Sequence, residues 1–171
     1  GDLGGAFLGL QLLEREKEIF TNDSSMQPDL TGFDYVLERQ LKPEARGDVI
    51  KWIRDEGIKV NAMIDISDGL SSELIHICKS SNRGCNIYHD KLPVHPDTKE
   101  AAKTFKMEPL IPVLHGGEDY ELLFTVPISE FEKIFWAVRV VSLPPISLEK
   151  TYSFASLELT ILFNSSLMLF Q

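Results

Sequence analysis

The sequence predicts an α+β domain in which helices pack on a mixed sheet. Three observations lead there. Apolar runs of strand length stand at residues 60–64 and 121–126, and apolar stripes at helical spacing run through 4–20 and 70–78. Strands and helices do not follow the strict β-α-β alternation of a doubly wound fold, which favours α+β with helices on one side of the sheet. With 171 residues the chain is one ordinary domain, long enough to bury a sizeable core.

Each element has a local reason. Residues 4–20 read as a helix: Ala6, Leu10, Leu13 and Phe20 form its apolar stripe, and Glu14-Arg15-Glu16-Lys17-Glu18 its solvated face. Asn22, Asp23, Ser24, Ser25, Pro28 and Gly32 make 21–32 a loop. A short helix over Asp34–Leu41 stops at Pro43, and another runs from about Asp48 to Glu56 and closes at Gly57. Val60–Ile64 is nearly all apolar, as a strand buried on both faces would be. After a turn at 65–69, Leu70, Leu74, Ile77 and Cys78 give a helix that ends near Asn82-Arg83-Gly84. Asn86–Tyr88 suggests a strand, Asp97–Phe105 a helix, Glu121–Val126 a strand, and Pro127 starts a helix near Ser129–Ile134. From 134 to 171 the chain is strongly apolar, with Arg139, Glu149, Lys150 and Glu158 its only Asp, Glu, Lys or Arg residues. Leu157–Phe163 suits a strand there, and the stretch is too interrupted for a membrane helix.

Charge narrows the function. Seventeen Lys and Arg against twenty-six Asp and Glu give a formal charge of −9, a surface that repels nucleic acid and anionic membrane. Such a protein binds a phosphate substrate only through divalent cations or a local basic pocket. Cys78 and Cys85 have neither metal-ligand spacing nor a disulfide pattern, and Cys78 reads as a buried free thiol. With no signal peptide or membrane span in the sequence, the cytoplasm is the expected compartment. The start at Gly1 rather than methionine hints at a piece of a longer protein.

Two turns carry chemistry. In His115-Gly116-Gly117-Glu118-Asp119-Tyr120-Glu121, a glycine turn delivers two adjacent carboxylates, Glu118 and Asp119, to the mouth of an apolar strand. Acids there are costly as packing and useful as ligands. The alternative is a polar start to the strand. The glycine pair implies close approach of a ligand or of another backbone segment. In Met63-Ile64-Asp65-Ile66-Ser67-Asp68-Gly69-Leu70 a buried strand likewise breaks into an acidic turn. Asp65 and Asp68, three residues apart, can face one side, and magnesium commonly shares one or two carboxylates with water and phosphate. Ser67 can donate to a phosphate oxygen, Gly69 permits close backbone approach, and the helix start at Leu70 favours an anion. The competing reading makes Asp68 the N-cap of that helix, helped by Ser67, but capping does not explain Asp65.

Other chemistries find no support. The sequence has no Gly-x-x-x-x-Gly-Lys-Ser/Thr loop, no Gly-x-Gly-x-x-Gly and no Gly-x-Ser-x-Gly. His115 reads as a loop residue and His76 as structural, and His89 and His95 lack partners at metal spacing. Helix packing explains Gly9 as well as a nucleotide loop does.

The two turns together resemble the paired signatures of thiamine-monophosphate kinase, in the superfamily that includes aminoimidazole ribonucleotide synthetase and selenophosphate synthetase. The resemblance spans roughly 1–133. Gly1-Asp2-Leu3-Gly4 with Leu10 and Leu13 looks like the glycine turn opening that family's carboxy-terminal domain, and Gln40-Leu41-Lys42-Pro43-Glu44-Ala45-Arg46 looks like its basic-proline stretch. It implies a fold like the carboxy-terminal domain of aminoimidazole ribonucleotide synthetase. It also implies ATP-dependent phosphorylation of thiamine monophosphate to thiamine diphosphate, with Mg2+ as cofactor and a homodimer when full length. Carried over residue by residue, Asp65 and Asp68 become magnesium ligands, Ser67 an ATP contact and Glu118 a thiamine-phosphate contact; no catalytic residue is assigned. The family's amino-terminal ATP-binding domain has no counterpart in the chain, so the chain alone is expected to be inactive. The tail from 134, expected to belong to the same domain, does not resemble the family's ending, and Trp136 takes no role from it. Another ATP-dependent synthetase of the superfamily, or a non-catalytic packing or ligand-binding domain, is the alternative.

Overall fold

The computed structural model describes residues 2–131, 133 and 134, and the strand backbone of 159–163 and 166–170. Six helices are described: α1 Gly5–Asn22, α2 Asp34–Leu41, α3 Gly47–Asp55, α4 Leu70–Ser81, α5 Pro96–Thr104 and α6 Leu110–His115. Four strands, β1 Ala62–Asp65, β2 Leu122–Pro127, β3 Leu159–Phe163 and β4 Ser166–Phe170, form one sheet in the order β1-β2-β3-β4. The α+β class is the one expected. All three pairings are antiparallel, where a mixed sheet was predicted. The reason lies in the excursion between β1 and β2: Asp65 at the exit of β1 pairs with Leu122 at the start of β2. The chain therefore leaves and re-enters the sheet at the same end.

Alternation along the strands sends side chains to two cores. Ile64 and Leu123 pack with Leu70, Leu74 and Ile77 of α4 and Val113 of α6. Met63, Phe124 and Val126 pack with Val49 and Ile53 of α3 and with Ile134. Helices thus cover both faces rather than one. As an edge strand β1 is half-buried rather than fully enclosed.

Helix α1 turns a different face inward from the one its stripe suggested. Leu8, Gly9, Leu12 and Glu16 are buried, Leu10 and Leu13 are half-buried and Phe20 is exposed. Gly9 sets this rotation, since a Cβ there would stand 2.2 Å from the Val36 carbonyl oxygen of α2. Glu16, read as part of a solvated face, instead accepts the Asp29 N–H at 2.9 Å and pairs with Arg15. A third core of Leu8, Val36, Ala101 and Ala102 joins α1, α2 and α5.

Further differences are local. Residues 86–88 form no strand; Ile87 and Tyr88 lie exposed, and His89–Lys91 is a 3-10 turn. Helix α6 was not foreseen; Pro109 is its N-cap and Pro112 stands in its first turn, where proline is tolerated because its missing N–H has no partner to lose. Cys78 and Cys85 are free and half-buried rather than buried. Ile128–Glu130 is a 3-10 turn, with helical backbone at Phe131, Lys133 and Ile134. Trp136, with the rest of 135–158, lies outside the described residues. No helix among the described residues is long and apolar enough to cross a membrane.

Candidate functional site

The pairing of β1 exit with β2 start draws the two acidic turns together. Beyond the last ladder pair the Ile66 N–H donates to the Glu121 carbonyl (2.8 Å) and the Tyr120 N–H to the Ile66 carbonyl (2.9 Å). The Glu118 N–H then donates to the Ser67 carbonyl at 2.8 Å. Residues about fifty apart in sequence become one backbone-bonded platform. The glycines make that approach possible: a Cβ at Gly117 would stand 2.3 Å from the Ser67 oxygen. Another backbone segment therefore accounts for the close approach at this glycine.

Asp65 and Asp68 are exposed and Ser67 is half-buried. The N-cap of α4 is Gly69, at φ +111°, with no side-chain capping bond, so Asp68 does not cap the helix. Among the described residues neither Asp65 nor Asp68 has an ion pair. No group of three or more His, Cys, Asp or Glu able to hold a metal occurs among them either. Two solvent-facing carboxylate groups beside a hydroxyl-bearing residue suit a hard divalent ion that completes its shell with water and phosphate oxygens. The donor set fits magnesium on those terms.

Glu118 is exposed and sits in left-handed backbone at φ +67°, with Tyr120 also left-handed at +49°. For residues other than glycine such a conformation costs about 1–2 kcal/mol, and strain of this kind concentrates at functional sites. The Glu118 Oε2 accepts from Gln40 Nε2 of α2 at 2.8 Å.

The neighbouring acids do different work. Asp119, expected at the strand mouth beside Glu118, is 3% exposed. Both its oxygens accept the Gly4 N–H, at 3.1 and 2.9 Å. Gly4 is the N-cap of α1 and supplies no side chain, so Asp119 serves the end of that helix from across the fold. Glu121 is also buried and receives Arg39 at 3.1 Å and Arg46 at 2.6 Å. Arg39 reaches the Asp119 carbonyl as well, at 3.0 Å. Arg39 and Arg46 therefore fasten the acidic turn, while Lys42 pairs with Glu38 at the surface. His115 and His76 are exposed, so His76 is not a core residue. His95 caps α5 and stacks on Tyr35. Sequence reasoning missed Glu73, whose Oε1 accepts the Asp68 N–H at 3.1 Å. An acid three or four places into a helix after an acidic turn was the available signal.

Burial pushes the Asp119 carboxyl up to about 8, partly opposed by the Gly4 N–H, with the Asp2 charge adding to the rise. The unfolded chain releases this proton near 3.8, so between 3.8 and about 8 the folded state binds more protons. Asp119 therefore favours folding most at low pH, and its contribution falls as pH rises through that window. Asp119→Asn is expected to flatten this part of the curve of melting temperature against pH. An unchanged slope between pH 5 and 8 would contradict it.

Comparison with known proteins shows what the chain resembles. The thiamine-monophosphate kinase of Aquifex aeolicus is 38% identical over 128 residues, covering 74% of this chain and 38% of that protein. The Escherichia coli K12 thiamine-monophosphate kinase is 34% identical over 133 residues, 74% of this chain and 35% of that protein. The solved structure of AaThiL complexed with AMPPCP and TMP superposes with a TM-score of 0.62 at 32% identity, covering 75% of this chain and 38% of that one. By sequence and by structure, this chain is thiamine-monophosphate-kinase-like. The Stenotrophomonas maltophilia kinase agrees, with a TM-score of 0.65 at 26% identity over 84% of this chain and 43% of that one. No family model matches. The chain spans less than half the length of each of these relatives.

Proposed function

We propose that the chain supplies part of the active site of an enzyme that transfers the γ-phosphate of ATP to the phosphate of thiamine monophosphate. The observation that carries this reading is the Glu118–Ser67 backbone bond, which sets an exposed, strained acid beside the Asp65–Ser67–Asp68 turn. In the proposed reaction a phosphate oxygen of thiamine monophosphate attacks the γ-phosphorus, the bond to the β,γ-bridging oxygen breaks, and ADP and thiamine diphosphate leave. The attacking oxygen is already anionic, so no strong general base is needed, and placement and charge neutralisation carry the rate. Asp65 and Asp68 would hold magnesium, which supplies neutralisation of phosphate charge. Ser67 contacts ATP, and Glu118 complements the cationic thiazolium or the aminopyrimidine donors of the thiamine moiety. The same reading takes the complete protein as a cytoplasmic homodimer that binds neither nucleic acid nor membrane.

The test uses the full-length protein. Glu118→Gln keeps size and an acceptor for Gln40 but loses the charge. It is expected to weaken thiamine monophosphate binding roughly 10- to 100-fold, the worth of a charge-assisted bond of about 1.5–3 kcal/mol, and to leave ATP binding intact. Glu118→Gly, which relieves the left-handed strain, should lose the same affinity without melting lower. Calorimetry with each ligand separately decides. No loss for thiamine monophosphate, or an equal loss for ATP, would overturn the role.

A further inference from the structure

Glu73 is 2% exposed, on the buried face of α4 that also carries Leu70, Leu74 and Ile77. Its Oε1 accepts the Asp68 N–H, while its Oε2 is buried without a hydrogen-bond partner. Among the described residues it has no ion pair. As packing this is a poor choice: a buried carboxylate with one oxygen unpaired is costly, and a leucine would continue the apolar stripe. What the acid uniquely supplies is an acceptor for the Asp68 amide. That amide precedes Gly69, which has φ +111° and no side chain to hold the turn. Without Glu73 nothing in the first turn of α4 supplies a side-chain cap to restrain Asp68.

We infer that Glu73 is a positioning residue for the candidate cation site. It clamps the Asp68 backbone from beneath, so that the exposed Asp68 carboxylate is presented in one geometry. Stability is given up for that placement. The inference rests on the reading of Asp65 and Asp68 as cation ligands, and partners of metal ligands of this kind typically change affinity about 10- to 100-fold when removed.

Two measurements on the full-length protein test it: Mn2+ binding followed by electron paramagnetic resonance, and hydrogen exchange at the Asp68 amide. Glu73→Leu removes the acceptor and is expected to raise the Mn2+ dissociation constant about tenfold. It should also speed exchange at Asp68 while melting no lower than the wild type. Glu73→Gln keeps the acceptor and loses the charge, and should retain both properties. If Glu73→Leu fails to fold, Glu73→Met, with a more adaptable apolar side chain, takes its place. Unchanged exchange in the apolar variant overturns the positioning role, as does a Glu73→Gln protein that binds Mn2+ as weakly as the apolar one. Asp68→Asn serves as the control. If it leaves Mn2+ affinity untouched, the cation reading falls, and the exchange measurement still decides whether Glu73 holds the turn.

Discussion

Asp68→Asn in the full-length protein is expected to lower turnover roughly a hundredfold, the scale of losing one charge-stabilising group in an active site. The magnesium requirement should rise, while the melting temperature stays within a degree or two of wild type. The structure makes this a clean substitution. Asp68 is exposed, makes no ion pair among the described residues and does not cap α4, whose N-cap is Gly69. The backbone N–H that Glu73 receives is common to Asp and Asn. Steady-state rates across a magnesium titration, with a thermal melt alongside, check the result. Wild-type turnover and an unmoved magnesium profile would return Asp68 to an ordinary surface residue.

Glu121→Ala should be the most destabilising of the substitutions considered, costing about 3 kcal/mol and lowering the melting temperature by roughly 6–12 °C. Its carboxylate is 5% exposed and takes both Arg39 and Arg46, whose side chains are 20% and 18% exposed. Truncation would leave the largely buried Arg39 guanidinium without its carboxylate partner and Arg46 with Asp48 but without the buried acid. Their residual exposure holds the cost at the lower end of the range for a broken buried pair. Arg39 also donates to the Asp119 carbonyl, and the adjacent Gln40 holds Glu118, so loosening α2 would disturb the Glu118 turn too. Thermal unfolding followed by circular dichroism is sufficient. A melt within about 2 °C of wild type would show that the network contributes little.

The legible part of the fold was its local part. Helix α2 begins and ends where Asp34 and Pro43 indicated, and α4 follows the spacing of Leu70, Leu74 and Ile77. β2 was read one residue early. Periodicity and breakers act over a few residues, and those signals lie within the segment they shape. The face that a helix buries is another matter. In α1 the stripe through Leu10 and Leu13 lost to Leu8, Gly9 and Leu12, because Gly9 allows the α2 backbone closer than any side chain would.

The site divides along the same line. Sequence alone singled out the residue types and the two turns: acids at the ends of apolar strands, glycines beside them, and a motif order matching one family. It could not sort the acids. Asp119 and Glu121 are as acidic as Glu118, yet one serves the end of α1 and the other balances two arginines. Their roles depend on Gly4, Arg39 and Arg46, which lie 75 to 115 residues away along the chain. Only the packing of the α1 start, of α2 and of the segment after it against residues 119–121 sets those partners in place. Composition and spacing thus singled out the residue types and the two turns. Tertiary structure decided which carboxylates remain exposed, because burial and partnership are properties of the packed fold and not of any one segment.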